Sequence, residues 1–406
     1  MPPSSDSFKM GRTEFVALMA MMMAAIAFSI DSILPALPTI AAELSPDAPQ
    51  QAPLILSMFL LGLGVGTFFT GPLSDAYGRK PLILFASGLY ILGAAVAWAA
   101  QSLEVILFAR VLQGLGASGP RVVSIAIVRD RFAGRQMAQV VSIIMMIFTL
   151  VPAVAPLLGE FIIHLTGWRG IFLSFILFAV IICVWMSFRL PETLPVEDRR
   201  PMRLTLMFSA VKEMAKHQVV RLSIFVQTLI MGCLFLTLML VQQVYDLVYA
   251  RADEFPYWFF LVAILSGSAG LLNALLVVRF GMYRLVTLAL AFQILFSGAF
   301  VLFDLGAGPY GFFFFVFWQT TIFFQAGMTL GNLNALAMEP MGHIAGMAAS
   351  VIGALSTVGA VLISGPLGTM IHGDERLLAA CVFVLAFVGC LTMLWMGRAL
   401  KKQAVG

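Results

Sequence analysis

Long apolar stretches separated by short polar segments run along the whole chain. A helix needs about 20 apolar residues to cross a bilayer, and twelve stretches are long enough, near residues 14–42, 52–72, 82–101, 103–128, 137–164, 168–189, 220–248, 255–279, 284–304, 309–338, 343–371 and 376–398. The ten-residue alternation typical of membrane β-strands does not occur. The pattern therefore predicts an all-α integral membrane protein with twelve transmembrane helices.

The composition supports the same class of protein. Of the 406 residues, 61% are hydrophobic and only 11% are charged, whereas soluble domains carry about 25% charged residues. The first apolar stretch is longer than the core of a signal peptide, so we expect it to remain as the first span. Most of the surface must therefore contact the lipid bilayer rather than water.

The distribution of Lys and Arg predicts the topology. If both termini are cytoplasmic, 19 of the 24 basic residues lie in cytoplasmic segments, three lie in outer loops and two lie within the fourth span. This asymmetry follows the positive-inside rule for an even number of spans. We expect a multi-pass protein of the inner membrane with both termini in the cytoplasm.

The longest polar stretch, residues 189–221, divides six spans from six. It predicts an N-terminal tail (1–13), a six-helix bundle (14–189), a central linker (190–219), a second six-helix bundle (220–398) and a C-terminal tail (399–406). The loops "GPLSDAYGRKP" (71–81) and "ALLVVRFGMYR" (274–284) occupy corresponding places in the two halves. Two pseudo-symmetric bundles are typical of secondary transporters.

Three ionisable residues, Asp31, Arg110 and Arg121, lie deep within predicted spans. Such residues are costly in a membrane and usually face a partner or a water-filled cavity. Asp31 precedes Pro35 and Pro38, which permit a bend, and its estimated depth is compatible with a contact to Arg110. We interpret Asp31 as a proton-binding group with Arg110 as its partner. A fixed ion pair or helix cap at Asp31, and a structural anchor at Arg110, are the alternatives.

Small and polar residues in other spans predict a hinge and a substrate cavity. "PAVAPLLGE" (152–160) contains Pro152, Pro156 and Gly159, which favour bending or close helix packing. Phe312 to Phe315 fit a lipid-facing or core position better than a ligand site. The candidate substrate-binding side chains are Gln113, Arg121, Gln227, Gln242, Gln319, Gln325 and Asn332. For Arg121, a purely structural role is the alternative to substrate binding.

Several motifs resemble a known family. "GPLSDAYGRKP" is similar to the signature between the second and third helices of the major facilitator superfamily, and "RVLQGLGASG" (110–119) and "PAVAPLLG" resemble its fourth-helix and fifth-helix motifs. "IDSILPALPTI", "GWRGIF" (167–172), "LPETL" (190–194) and "MEPMGHIAGMAASVIGAL" (338–355) resemble the Bcr/CflA group of drug:proton antiporters. The resemblance covers nearly the whole chain.

The resemblance implies roles for particular residues. Asp31 would be the proton-linked acid and Arg110 its partner, with Gln113, Gly114 and Gly116 shaping the fourth helix. The helix 5 hinge would be associated with export. A cytoplasmic latch would contain Gly71, Asp75, Gly78, Arg79 and Lys80, with Arg129 as a nearby basic residue. Two positions depart from the family pattern, where Ile33 replaces a usual Tyr and Glu160 a usual Gly.

These observations predict a proton-coupled secondary transporter, acting as a monomer, that exports a small amphipathic molecule. The alternative is proton-coupled uptake of a metabolite or metal chelate by the same fold. The sequence contains no nucleotide-binding loop of the GxxxxGK[ST] type, so we do not expect transport driven by ATP. It also contains no buried cluster of His, Asp and Glu residues suited to catalysis, so we do not expect a membrane enzyme. The four cysteines and four histidines are scattered, so we expect no metal and no cofactor. Nucleic acid is not an expected partner.

Overall fold

The computed structural model describes residues 10–202 and 204–403, with backbone only for residues 204, 206 and 399–403. Residues 1–9 of the predicted N-terminal tail and 404–406 of the C-terminal tail lie outside the described residues. The described part contains helices and turns but no β-strand. It has 11 continuous helical stretches long and apolar enough to cross a membrane, and one of them, Gly311–Ile371, contains two predicted spans. The prediction of an all-α protein with twelve spans is confirmed.

The chain divides into two compact units between Leu204 and Thr205. The helices of the first unit are α1 (Arg12–Asp31), α2 (Leu37–Leu44), α3 (Leu54–Tyr77), α4 (Arg79–Ala99), α5 (Leu103–Arg131), α6 (Gly134–Thr166) and α7 (Arg169–Arg189). The division falls after the first residue of α8 (Leu204–Lys216). The helices that follow are α9 (Gln218–Gln243), α10 (Phe255–Phe280), α11 (Met282–Leu302), α12 (Gly311–Met338), α13 (Ala345–Ile371) and α14 (Glu375–Gln403). Each unit contains six spans. The linker bounds 190 and 219 stay a prediction, and α8 lies within them.

The first predicted span, 14–42, is two helices rather than one. Helix α1 ends at Asp31, a 3₁₀ turn covers Leu34–Ala36, and α2 begins at Leu37. Pro35 and Pro38 lie in the first positions of the 3₁₀ turn and of α2. Proline has no N–H to donate to the preceding turn but is tolerated where a helix begins. The two prolines therefore separate the halves of the span immediately after Asp31.

Both ends of this broken span are bonded to α7. Near the start of α1, the Glu14 carboxylate accepts bonds from the Arg189 guanidinium, with an Nε–Oε1 distance of 2.7 Å. Near the end of α2, Glu43 accepts bonds from Trp168 Nε1 and Arg169 Nη1, each at 2.7 Å. The "GWRGIF" motif thus supplies two donors that hold α2 against the first turn of α7.

Glycines on α5 allow its neighbours to approach closely. A Cβ at Gly114 would overlap the Phe59 carbonyl of α3, and one at Gly116 would overlap the backbone of Tyr90 on α4. A larger residue at either position would push the helices apart, because both obstacles are backbone atoms. This packing places the α5 residue Arg110 beside α1 and α3.

Candidate functional site

Asp31 is the last residue of α1 and is only 4% exposed. Its carboxylate makes no hydrogen bond and no ion pair with any described residue. Buried carboxylates are normally paired because an isolated ionised carboxylate is costly away from water. Asp31 is therefore an exception that calls for a functional explanation.

Arg110 makes no hydrogen bond or ion pair with Asp31 in this structure, so the predicted pair is not observed here. Its fully buried guanidinium donates to Ser29 O at 2.8 Å, Ile55 O at 3.2 Å and Gln113 Oε1 at 2.7 Å. Ser29 lies in the last turn of α1, where carbonyls lack an intrahelical partner. The break after Asp31 thus creates the acceptor that Arg110 occupies, which is the anchoring role named above as its alternative.

A hydroxyl pair near this arginine was not anticipated from the sequence. The Ser29 and Tyr90 side-chain oxygens lie 2.5 Å apart, and Ser29 Oγ also donates to Ala25 O at 2.6 Å. Both residues are buried. The sequence signal was available, since Tyr90 and Ser87 are polar side chains in the largely apolar third span, but nothing linked Tyr90 to the first span.

The predicted hinge residues lie against the same break. Pro152 and Pro156 are inside α6, which continues through both as one helix. A Cβ at Gly159 would overlap the carbonyl of Ser32, the residue after Asp31. Gly159 therefore allows α6 to contact the backbone of the break. Glu160, whose role the sequence did not indicate, pairs with His164 one turn later at 3.1 Å.

The α3–α4 junction contains a second cluster of charges. Arg79 Nη1 lies 2.6 Å from Asp75 Oδ1, and Arg79 Nε lies 3.0 Å from Asp130 Oδ2. The predicted basic partner, Arg129, is exposed and makes no ion pair with a described residue. Successive residues point about 100° apart around a helix, so Asp130 faces Arg79 while Arg129 points away. Gly71 contributes its carbonyl, which accepts from Ser74 Oγ at 2.9 Å.

Glu192, from the "LPETL" motif, caps the N-terminus of α4 at this junction. Its carboxylate accepts bonds from the backbone N–H groups of Arg79 and Lys80 at 3.0 and 3.1 Å, at the N-terminus of α4. Helix N-termini have unpaired N–H groups and attract negative charge. Gly78 has a φ of 101°, and a Cβ there would collide with Glu192 and Arg199. Lys80 Nζ donates to Leu190 O at 2.8 Å.

The second unit buries amides instead of charges within its spans. The buried amide atoms of the described second unit that have no hydrogen-bond partner are Gln227 Oε1, Gln242 Oε1, Gln319 Nε2 and both side-chain polar atoms of Gln325. Gln319 Oε1 accepts from the Tyr245 hydroxyl at 3.1 Å, which ties α12 to the π-helical turn after α9. Asn332 does have a partner, since its Nδ2 donates to Asn273 Oδ1 at 2.7 Å. Tyr245 and Asn273 were not predicted.

The predicted substrate residues do not all line the same cavity. Gln325 lines a cavity between α10, α11 and α12, which Gln319 does not. Arg121 is half-buried, and its guanidinium makes no hydrogen bond with a described residue. The Gln113 side chain accepts a hydrogen bond from Arg110. In the aromatic run, Phe312 and Phe315 are buried while Phe313 and Phe314 are exposed, so the run combines core and outer positions.

Comparison with known proteins adds independent information. Residues 17–364 match the Major Facilitator Superfamily. The chain is 32% identical over 346 residues to the "Bicyclomycin resistance protein homolog" of Haemophilus influenzae, covering 82% of this chain and 84% of that protein. It is 34% identical over 166 residues to "Multidrug resistance protein MdtL" of Shigella flexneri, covering 41% and 42%. A crystal structure of a D-xylose-proton symporter has a TM-score of 0.73 at 16% identity, covering 93% of this chain and 97% of that one.

Proposed function

Because the chain belongs to the Major Facilitator Superfamily, we propose that it exports small amphipathic molecules from the cytoplasm in exchange for protons, acting as a monomer. Family membership makes it a multi-pass transporter of the inner membrane and not an enzyme. The resemblance to the Bcr/CflA group is confirmed by the relative named for bicyclomycin resistance. Direction of transport, proton coupling and substrate class belong to the proposal.

The unpaired Asp31 carboxylate is the observation that supports proton coupling most directly. A carboxyl group without a partner inside a membrane protein is tolerated when protonated and costly when ionised. A conformational change that admits water to Asp31 would allow the proton to leave. Proton binding would then favour the closed environment of this structure, and proton release the open one.

The break beside Asp31 provides a place for that conformational change. Discontinuous helices are a recurring feature of secondary transporters at their coupling sites. Arg110 holds the last turn of α1 through Ser29 O, while Gly159 of α6 lies against Ser32. In this proposal, a bend in α6 at Pro152 and Pro156 shifts the backbone after Asp31, with Arg110 fixing the position of α1.

The α3–α4 junction serves in this proposal as the cytoplasmic latch. The positive-inside distribution of Lys and Arg supports a cytoplasmic location for the junction and for both termini. Asp75, Arg79 and Glu192 hold the turn at Gly78 in one geometry. Opening of the transporter toward the cytoplasm would then change the bonds to Arg79.

The second unit supplies uncharged recognition groups. Gln227, Gln242 and Gln319 each have an unpaired amide atom and are at least nine-tenths buried. An amide offers both donors and an acceptor and does not change its charge with pH. These three side chains are the proposed substrate contacts in this unit.

Transport into inverted membrane vesicles tests the proposal. A proton gradient is imposed, acid inside, and bicyclomycin, the compound in the relative's name, is the first substrate to be tried, followed by a panel of small amphipathic antibiotics. Accumulation inside the vesicles that collapses when an uncoupler removes the gradient is the expected result. Vesicles containing the Asp31→Asn variant serve as the matched control.

Two results would contradict the proposal. Gradient-driven loss of substrate from preloaded inverted vesicles would indicate uptake into the cell, which is the alternative direction. Accumulation that is unaffected by the uncoupler would mean that protons are not the coupling ion.

A further inference from the structure

A cavity of about 450 Å³ lies between α10, α11 and α12, within the second unit. Its walls are mostly aromatic and aliphatic, and they include Phe280, Phe292, Phe296, Phe317 and Phe324. Phe292 and Phe317 are 57% and 55% exposed, so the cavity opens on the surface of these spans. The exposed side chains around its mouth are all apolar, as expected for a surface of membrane spans that contacts lipid acyl chains. The volume is in the range of small-molecule sites.

Gln325 lines this cavity about halfway along α12. It is 3% exposed, and neither its Nε2 nor its Oε1 has a hydrogen-bond partner among the described residues. Leaving a buried donor and acceptor unpaired is costly, and lipid acyl chains cannot pair with either. Both atoms are covered in this structure, so a ligand that presents one acceptor and one donor would satisfy them after the Gln325 amide turns toward the cavity.

The other polar residues of the cavity indicate that its ligand is uncharged. Thr320 and Thr321 donate their hydroxyl protons to Val316 O and Trp318 O, and Gln293 Nε2 donates to Ser297 Oγ at 3.1 Å. None of the described lining residues is ionisable. A charged ligand would therefore lose its hydration without gaining a counter-charge.

A neighbouring cavity provides the contrast. It has a volume of about 680 Å³ and shares Phe296 and Phe317 with the first, and these two rings meet edge to face at 5.4 Å. Its only lining side chains with an N–H or O–H group are Tyr310 and Trp318, and Trp318 already donates to Ser297. The larger cavity is suited to lipid tails, whereas the smaller one has an unsatisfied amide.

We propose that the cavity beside Gln325 binds an uncharged aromatic molecule from the bilayer whose carboxamide pairs with the Gln325 amide. Two amides can exchange a donor and an acceptor reciprocally, while the aromatic body contacts the phenylalanine walls. The site is contained in the second unit and does not depend on proton-coupled export.

Photolabelling of the whole protein in lipid nanodiscs tests the site. The probe is 4-benzoylbenzamide, which carries a photoreactive benzophenone and a primary carboxamide, and the comparison probe is 4-methylbenzophenone, which lacks the amide. Peptide mass spectrometry should locate the amide probe on residues 272–328, with labelling about tenfold stronger than that of the comparison probe, as expected for two neutral hydrogen bonds. Unlabelled 2-naphthamide should protect these residues and 2-methylnaphthalene should not.

Variants sharpen the test. Gln325→Leu should reduce amide-probe labelling to the level of the comparison probe. Gln243→Leu, the same change at a half-buried amide outside the cavity and outside the proposed substrate contacts, should leave labelling unchanged. Equal labelling of the wild-type protein by both probes, protection by both naphthalenes, or labelling centred outside 272–328 would overturn the proposal. These wild-type results remain decisive even if Gln325→Leu does not fold.

Discussion

The two units bury different polar groups in their spans. The first unit has a carboxylate and two guanidinium groups within its spans, Asp31, Arg110 and Arg121. In the described second unit, the Asp, Glu, Lys and Arg residues lie near the ends of the spans or between them, and the deep polar residues are mainly amides and hydroxyls. A carboxylate can change its charge, whereas an amide can only donate and accept hydrogen bonds. We infer that proton handling and uncharged substrate recognition reside in different units.

Replacing the carboxylate should have the largest effect. Asp31→Asn keeps the size of the side chain but cannot release a proton, so we expect gradient-driven transport to fall at least about 100-fold, as for loss of an essential proton-transfer group. Thermal unfolding should change little, because the carboxylate makes no bond to a described residue.

The control for this variant is Glu160→Gln, which changes an acid that is paired with His164 near the end of α6. Its transport should stay within about twofold of wild type, the range of a surface ion pair. If Asp31→Asn retains gradient-dependent transport, another group must bind the proton. The proposed difference in function between the two units would then no longer hold.

Replacing Arg110, which anchors the last turn of α1, should affect the stability of the protein more than its transport activity. In Arg110→Lys, a single ammonium cannot reach Ser29 O, Ile55 O and Gln113 Oε1 together, because the guanidinium fork spans positions that a point charge does not. We expect the free energy of unfolding to fall by about 2–3 kcal/mol, as for loss of a hydrogen bond to a charged group. Thermal unfolding in detergent measures the change, and Arg121→Lys is the matched control. Equal losses in the two variants would contradict an anchoring role.

Changing a substrate amide should alter affinity alone. Gln242→Leu removes an unpaired buried acceptor, so KM should rise about tenfold while kcat and proton coupling stay unchanged, as expected when one polar contact to the substrate is lost. Initial rates in inverted vesicles over a range of substrate concentrations measure both constants. The adjacent half-buried Gln243, changed to Leu, is the control. A loss of coupling in Gln242→Leu would place proton handling in both units.

The smallest effect is expected at the α3–α4 junction. Glu192→Gln keeps one acceptor oxygen but loses the negative charge that faces the start of α4, and helix-capping changes of this kind cost about 1 kcal/mol. Thermal unfolding should register this decrease, while the exposed Glu197→Gln should not. A Glu192→Gln protein as stable as wild type would mean that the backbone of the "LPETL" segment, and not its acid, holds the junction.

The sequence predicted the spans well because an apolar length of about 20 residues is a direct requirement of the bilayer. It also led us to expect a pair between Asp31 and Arg110, whereas Arg110 bonds to Ser29, Ile55 and Gln113 in this structure. Residue counts estimate the depth of a side chain along a span but not the direction in which it points. For the same reason, the sequence pointed to Arg129 as a basic neighbour of the latch and did not reveal that the adjacent Asp130 pairs with Arg79. Glu192 was missed as a cap because its partners, the N–H groups of Arg79 and Lys80, are over 100 positions away.

The bonds from α7 to both ends of the first span restrict how that span can deform. With Glu14 and Glu43 held at opposite ends of one continuous helix, the end-to-end length of the span is set by α7. A rigid sliding or tilting of α1 and α2 together would break one of these attachments. Strain introduced at the middle must instead be released as local buckling of residues 32–36. Spin labels at the two ends should therefore keep a constant separation through the transport cycle, while a label at the centre changes its distance to both.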